Sequence, residues 1–303
     1  MSIYLPIAEM PVSGLLVLLL SALVGFVSGL TGLGGGFIMT PMLIFMGIPA
    51  PVAVATQASQ ITATSVSGLM AQARRRMVDW RMGLLLSMGG VIGSTFGVSI
   101  FSTLLAAGQI DILITLLYVL FLTVIGALML FESFMAIRTA GKPLARPLPR
   151  PSPMALDKLP FLMRFPRSGL YISVLPPLAL GFGVGVLAAI MGVGGAFILA
   201  PAMIYLLRMP TNVVVGTSLL QVLIVAAVVT LLQASITQKV DLLLAAILIV
   251  GGVIGAQLGA RLGARLPGEQ LRAVLAVVVF GAAAKLLWDL LTPPAYLYVL
   301  DPS

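Results

Sequence analysis

The chain has no cysteine and no histidine, and only nine carboxylates among its 303 residues. Without thiolates or imidazoles, disulfides, Cys or His metal sites and Ser-His or Cys-His catalysis are excluded on inventory. The carboxylates are Glu9, Asp79, Asp111, Glu132, Asp157, Asp241, Glu269, Asp289 and Asp301. All lie near the ends of apolar runs or in loops, which leaves a two-carboxylate membrane hydrolase nothing to work with. Charged residues make up 9% of the chain, against roughly a quarter in a soluble domain. Glu9 precedes the first apolar run and no basic segment does, so no cleavable signal peptide is expected. The inventory implies no cofactor, no metal and no enzymatic reaction.

Apolar residues, by contrast, make up 60% of the chain, and mean hydropathy is +1.17. Runs of about 18 apolar residues or more, long enough to cross ~30 Å of hydrocarbon, recur along it. The net charge of +8 sits in loops between these runs. That is a signal of topology rather than of a nucleic-acid partner. The partners expected are the lipid bilayer and a small solute, and a homo-oligomer is compatible with the sequence.

The chain repeats itself. Residues 32–43, GLGGGFIMTPML, match residues 192–203, GVGGAFILAPAM. With one-residue slips, Val54-Ala55-Thr56 answers Val215-Gly216-Thr217, Gln60 answers Gln221, and Gln72 answers Gln233. Val78-Asp79 answers Val240-Asp241, and the glycine-rich 89–93 answers 251–255. The division expected is a first transmembrane repeat over 1–132, a basic, Pro-rich cytoplasmic linker over 133–172, and a second repeat over 173–303. Within the linker, Phe161, Leu162, Met163 and Phe165 alternate with Lys158, Arg164 and Arg167. That pattern suits a segment on an anionic membrane surface, or a disordered basic linker.

Each copy reads as a first span (13–30; 173–190), a glycine-rich break, and a short apolar piece (36–47; 196–207). A polar-flecked run follows (52–72; 212–233), then two full spans (81–101 and 112–132; 241–261 and 272–290). The short pieces either turn back or cross at an angle while buried in protein. Both options give an odd number of crossings per copy, so the copies have opposite orientations. With the termini outside, 14 of the 17 Lys and Arg fall inside, leaving Arg208, Lys239 and Lys285. The fold class expected is all-α: a polytopic membrane protein of two inverted-topology repeats with glycine-broken helices or hairpins.

Inverted repeats with interrupted helices are a transporter architecture, with substrate near the midplane. Gly34, Gly35 and Gly36, with Gly194 and Gly195, end one helix and start another. A new helix amino terminus offers N–H groups and the positive dipole end to an anion, and glycine lets the ligand approach. Alternatively these glycines only permit tight turns. Thr56, Gln57 and Gln60, repeated as Thr217, Ser218 and Gln221, put polar groups after the turn. They contact substrate or hydrogen-bond between helices. The ladders Gly89, Gly93, Gly97 and Gly251, Gly255, Gly259, Gly263 read as helix-packing faces. Asp79 and Asp241 read as helix caps, with gating as the alternative. Arg208 is an inner-face anchor or a substrate cation.

A first span running into GLGGGF-x-x-x-P, a Thr- and Gln-bearing run, a Val-Asp step and a Gly-rich span, all duplicated, resemble the TauE/SafE sulfite-exporter-like permeases. The resemblance covers about 25–101 and 185–263. It implies transport of small sulfur-containing anions such as sulfite, sulfonates or sulfoacetate across a bacterial inner membrane. The copies differ: Ala196 stands where copy one has Gly36, and Leu219, Leu220, Val225 and Ala226 make the second polar run more apolar. With no titratable group at the centre of a span, outward movement of an anion is expected. A cation or amino-acid permease, or a non-transporting membrane scaffold, is the alternative.

Overall fold

Helices that are apolar on two opposite faces are stable only where the surrounding solvent is apolar as well. In the computed structural model, α5 (Ile110–Thr139) buries Ile110, Ile114, Tyr118 and Leu122 and exposes Ile112, Leu116, Leu120 and Val124. Along α4 (Trp80–Ala106), Trp80, Leu84, Met88, Ile92 and Phe96 form an exposed stripe at four-residue spacing. Water would not tolerate such faces, and lipid requires them. Among the described residues, Trp80–Ala106, Val213–Thr237 and Leu242–Leu262 are long and apolar enough to cross a membrane. The protein is a mostly helical, polytopic membrane protein.

The structure describes residues 2–31, 36–139, 160–263, 281–282, 284–286 and 288. Strands β1 (Ser2–Leu5) and β2 (Met10–Ser13) precede α1 (Gly14–Thr31), α2 (Gly36–Phe45), α3 (Ala50–Arg74), α4 and α5. Strands β3 (Leu162–Phe165) and β4 (Leu170–Ser173) precede α6 (Leu175–Met191), α7 (Ala196–Tyr205), α8 (Thr211–Leu232) and α9 (Leu242–Gly263). A single π turn, Gln233–Thr237, extends α8. The span expected at 272–290 lies mostly outside the described residues.

The two antiparallel strand pairs were not read from the sequence. Residues 162–173 form one of them, where a surface segment or disordered linker was expected. Its register, Leu162 with Ser173, is that of Ser2 with Ser13 shifted by 160 residues. Proline opens both loops (Pro6, Pro166), presetting φ for a turn. A left-handed residue closes both, Glu9 at φ 53° and Gly169 at φ 66°.

Helix contacts follow the same duplication. α1 packs along α9, α6 packs along α4, and α3 and α8 pair between them. Close approach is set by the glycine ladders, as expected. A Cβ added at Gly255 would lie 1.9 Å from the Ala22 carbonyl oxygen, and one at Gly93 would lie 2.1 Å from that of Phe182. In the second half the short piece turns back. Val184 of α6 shares an apolar cluster with Leu199 and Met203 of α7, Met82 at the start of α4 and Phe165 of β3. Gly192, Gly194 and Gly195 make the reversal at φ 67°, 71° and 72°, a region that costs L side chains energy and glycine almost none. Pro41 and Pro201 sit inside the two short helices, and Pro49 and Pro210 precede the next.

Candidate functional site

Ten residues into α3 and ten into α8, ~15 Å along each helix, stand Gln60 and Gln221, both buried. Gln60 packs on Gly252 of α9, and Gln221 packs on Gly90 of α4. The expected pair is therefore two separate positions, one in each half. Gln60 Nε2 donates to Ser21 Oγ (2.9 Å), which donates its own hydrogen to the Leu248 carbonyl (2.6 Å). A carbonyl can only accept, so the Ser21 proton is committed and the amide orientation of Gln60 follows. Gln60 Oε1 is left buried without a donor, as is Gln57 Oε1. Gln221 has no partner at either amide atom.

Gly36, Gln57 and Gln60 are brought together around a small cavity, completed by Val24, Gly25 and Ser28 of α1 and by Ile61 and Thr64 of α3. Its volume for the centre of a water-sized sphere is ≈ 10 Å³, about what one water needs. The second half differs at the matching positions. Ala188 and Val225 share one apolar cluster there, and Ala196 and Val222 share another with Ile61. Ser28, Gly36 and Thr64 are thus answered by alkyl groups. The unequal halves expected from the sequence are a filled wall facing an open one.

The two glycine breaks adjoin. A Cβ added at Gly36 would lie 3.1 Å from the Val193 carbonyl oxygen and 2.3 Å from Ile61 Cδ1, and one at Gly194 would lie 2.8 Å from Ile61 Cγ2. Gly195 is the cap residue of α7 and has no side chain to bond its first turn. Gly34 and Gly35 lie outside the described residues.

The other expected residues lie elsewhere. Thr56 Oγ1 accepts from the Asp241 amide (3.1 Å), and Thr217 Oγ1 accepts from the Asp79 amide (3.0 Å), each bond joining one half to the other. Asp79 caps α4 through the Met82 amide (3.2 Å) and accepts from the amide (3.0 Å) and hydroxyl (2.7 Å) of Ser168 in the β3–β4 loop. Asp241 caps α9 through the Leu243 and Leu244 amides (3.0 Å each) and accepts from the Ile7 amide (3.0 Å) in the β1–β2 loop. Ser218 Oγ donates to the Val215 carbonyl (2.9 Å). Arg208 is exposed in the α7–α8 turn, at φ 53°.

Ser21, Ser28 and the two loop contacts were not assigned from sequence, whereas Thr64 was legible as polarity present in the first copy alone. Ser21 and Ser28 are seven apart on one face of α1, but Gly181 and Ala188 answer them, so the repeat gave no signal.

Comparison with known proteins agrees with this architecture. A "Probable membrane transporter protein" of Xylella fastidiosa (strain 9a5c) is 31% identical over 270 residues, covering 88% of this chain and 92% of that one. The "Probable membrane transporter protein YjnA" of Bacillus subtilis (strain 168) is 28% identical over 275 residues, 89% and 98% of the two chains. A third relative, "Probable membrane transporter protein YunE" of the same strain, is 24% identical over 285 residues, 91% and 98%. No solved structure gives a significant match. The family model described as "Sulfite exporter TauE/SafE" matches residues 17–286. The chain belongs to the TauE/SafE sulfite exporter family and is a multi-pass membrane transporter.

Proposed function

We propose that this transporter moves a small sulfur-containing anion, of the sulfite, sulfonate or sulfoacetate type, outward across a bacterial inner membrane. The observation that carries the reading is the meeting of the two breaks, Gly36 against Val193, with α2 and α7 both starting there. Two positive helix ends side by side favour an anion without any lysine or arginine. We place the substrate against the first turns of α2 and α7, with Gln221 Nε2 as an additional donor in another state of the cycle. Opposite orientation of the halves is supported by the alternation of contacts. The first-half loop caps Asp241 and the second-half loop caps Asp79, as two inverted copies would do at opposite faces. The charge asymmetry supports termini outside and residues 133–172 in the cytoplasm.

Outward movement is downhill in a cell with a negative interior, by ~2.3 kcal/mol per charge for each 100 mV. Proteoliposomes loaded with radiolabelled sulfite, an alkylsulfonate or sulfoacetate test the proposal, with the potential set by potassium and valinomycin. Efflux of at least one sulfur anion should exceed that from protein-free vesicles. It should also quicken when the loaded side is negative. Transport of an amino acid or an inorganic cation, with none of any sulfur anion, would replace this reading by the permease alternative.

A further inference from the structure

Two of the residues that line the cavity in the first half, Gln57 and Gln60, carry buried amide oxygens that have no donor. Gln60 Oε1 is turned away from Ser21 by the committed Ser21 proton, and it has no donor. Gln57 Oε1 has none either. The Thr64 hydroxyl spends its hydrogen on backbone carbonyls, those of Gln60 (3.0 Å) and Ile61 (3.1 Å), so its lone pairs are what it can offer the cavity. Gln57 and Gln60 are almost fully buried, at 1% and 3% exposure. Leaving two buried acceptors unmade costs about 1–3 kcal/mol each; in the second half Ala188, Ala196 and Val225 stand where Ser28, Gly36 and Thr64 line this cavity.

A cavity of ≈ 10 Å³ is too small for a sulfur oxyanion, and two amide oxygens without a donor have the wrong polarity for one. Among the described residues there is no cluster of Asp, Glu, His or Cys that could hold a metal ion, so a divalent ion would lack the carboxylates it favours. Neutral oxygens beside a broken helix suit a small monovalent cation. We propose that Gln57 Oε1, Gln60 Oε1 and Thr64 Oγ1 form a sodium-class cation site at mid-depth in the first half. The site stands apart from the identity of the anion, and a cation retained through the cycle moves no net charge.

The test uses the full-length protein in detergent with no sulfur anion present. Thermal unfolding is followed while NaCl replaces choline chloride at constant ionic strength, and ²²Na binding is counted on the same preparation. Sodium should raise the melting temperature saturably, as a ligand of the folded state does, and bind at one ion per chain. Thr64→Val, an isosteric change at a half-buried position, and Gln57→Leu should each weaken that binding at least tenfold. Melting temperatures measured in choline show whether each variant is folded. Absence of saturable sodium binding in the parent overturns the proposal, and so does unaltered sodium affinity in a folded Thr64→Val variant. In either case a single water would be the cavity's occupant. Failure of sulfur-anion transport leaves this measurement untouched, so the two readings fail separately.

Discussion

Asp79 shows how much one carboxylate can organise. Its oxygens accept three hydrogen bonds from two places far apart in the chain, the α4 amino terminus and the β3–β4 loop. Hydrogen bonds to a charged acceptor are among the stronger ones. Asp79→Ala should therefore destabilise the protein by about 3 kcal/mol, and Thr217→Val, which strips one buried amide, by about 1–2 kcal/mol. Thermal unfolding in detergent checks both, and an Asp79→Ala variant melting with the parent would mean the Ser168 loop does not depend on it. Gln221 is the opposite case. Its amide is buried with no partner at all, so Gln221→Leu should stabilise the fold by about 1 kcal/mol while reducing anion transport. A variant that is more stable and equally active would remove Gln221 from the substrate path.

At the scale of helices, glycines divide by what each one faces. Gly255 leaves no room for a side chain against the Ala22 carbonyl, and backbone cannot step aside as a rotamer can. Gly255→Val should cost about 3 kcal/mol or more by forcing α1 and α9 apart. Gly183 of α6 is also a helical glycine, but a Cβ there would meet nothing within 4 Å. Gly183→Ala should stabilise by about 0.5–1 kcal/mol through the unfolded chain's entropy and helix propensity. Denaturation of the two variants side by side measures the difference. Equal behaviour would show that lipid, rather than helix contact, surrounds the ladder. The lipid-facing stripe from Trp80 to Phe96 lies beside the glycines on the same helix, so α4 carries both kinds of surface within a few turns.

For the whole molecule, the proposed orientation has a simple test, because the chain is free of cysteine. Ser152→Cys places one thiol in the basic segment between the halves. With that segment in the cytoplasm, the thiol should resist membrane-impermeant maleimides in intact cells and react after permeabilisation. Ready labelling of intact cells would reverse the orientation. The cross-half bonds make the orientation matter for mechanism. Asp79 with Ser168 and Asp241 with Ile7 tie each half's leading loop to the other half's long helix. Any rocking of one half against the other must strain or release one of these bonds.

Composition and duplication determined a good deal without coordinates. A chain so poor in charge must place its helices in lipid. The recurrence of the glycine break, the prolines and the Val-Asp step located the helix starts to within about two residues, because backbone-breaking residues act locally, whereas α5 runs on to Thr139, into the stretch expected as linker. The ladder glycines were legible for the same reason, as their four-residue spacing already describes a helix face. Tertiary structure decided what each polar residue is for. Thr56 and Gln60 look alike in sequence, four apart on one helix, yet Thr56 holds the Asp241 amide and Gln60 lines a cavity. That difference depends on which atoms of α1 and α9 lie opposite, over 180 residues away for Asp241. The strand pairs were equally hidden, since four-residue strands carry too little alternation to be read, although Pro6 and Pro166 mark their loops. Whether a buried amide finds a partner is settled by the helix across from it. Ser21 stands opposite Gln60, and Gly181 occupies the matching place for Gln221.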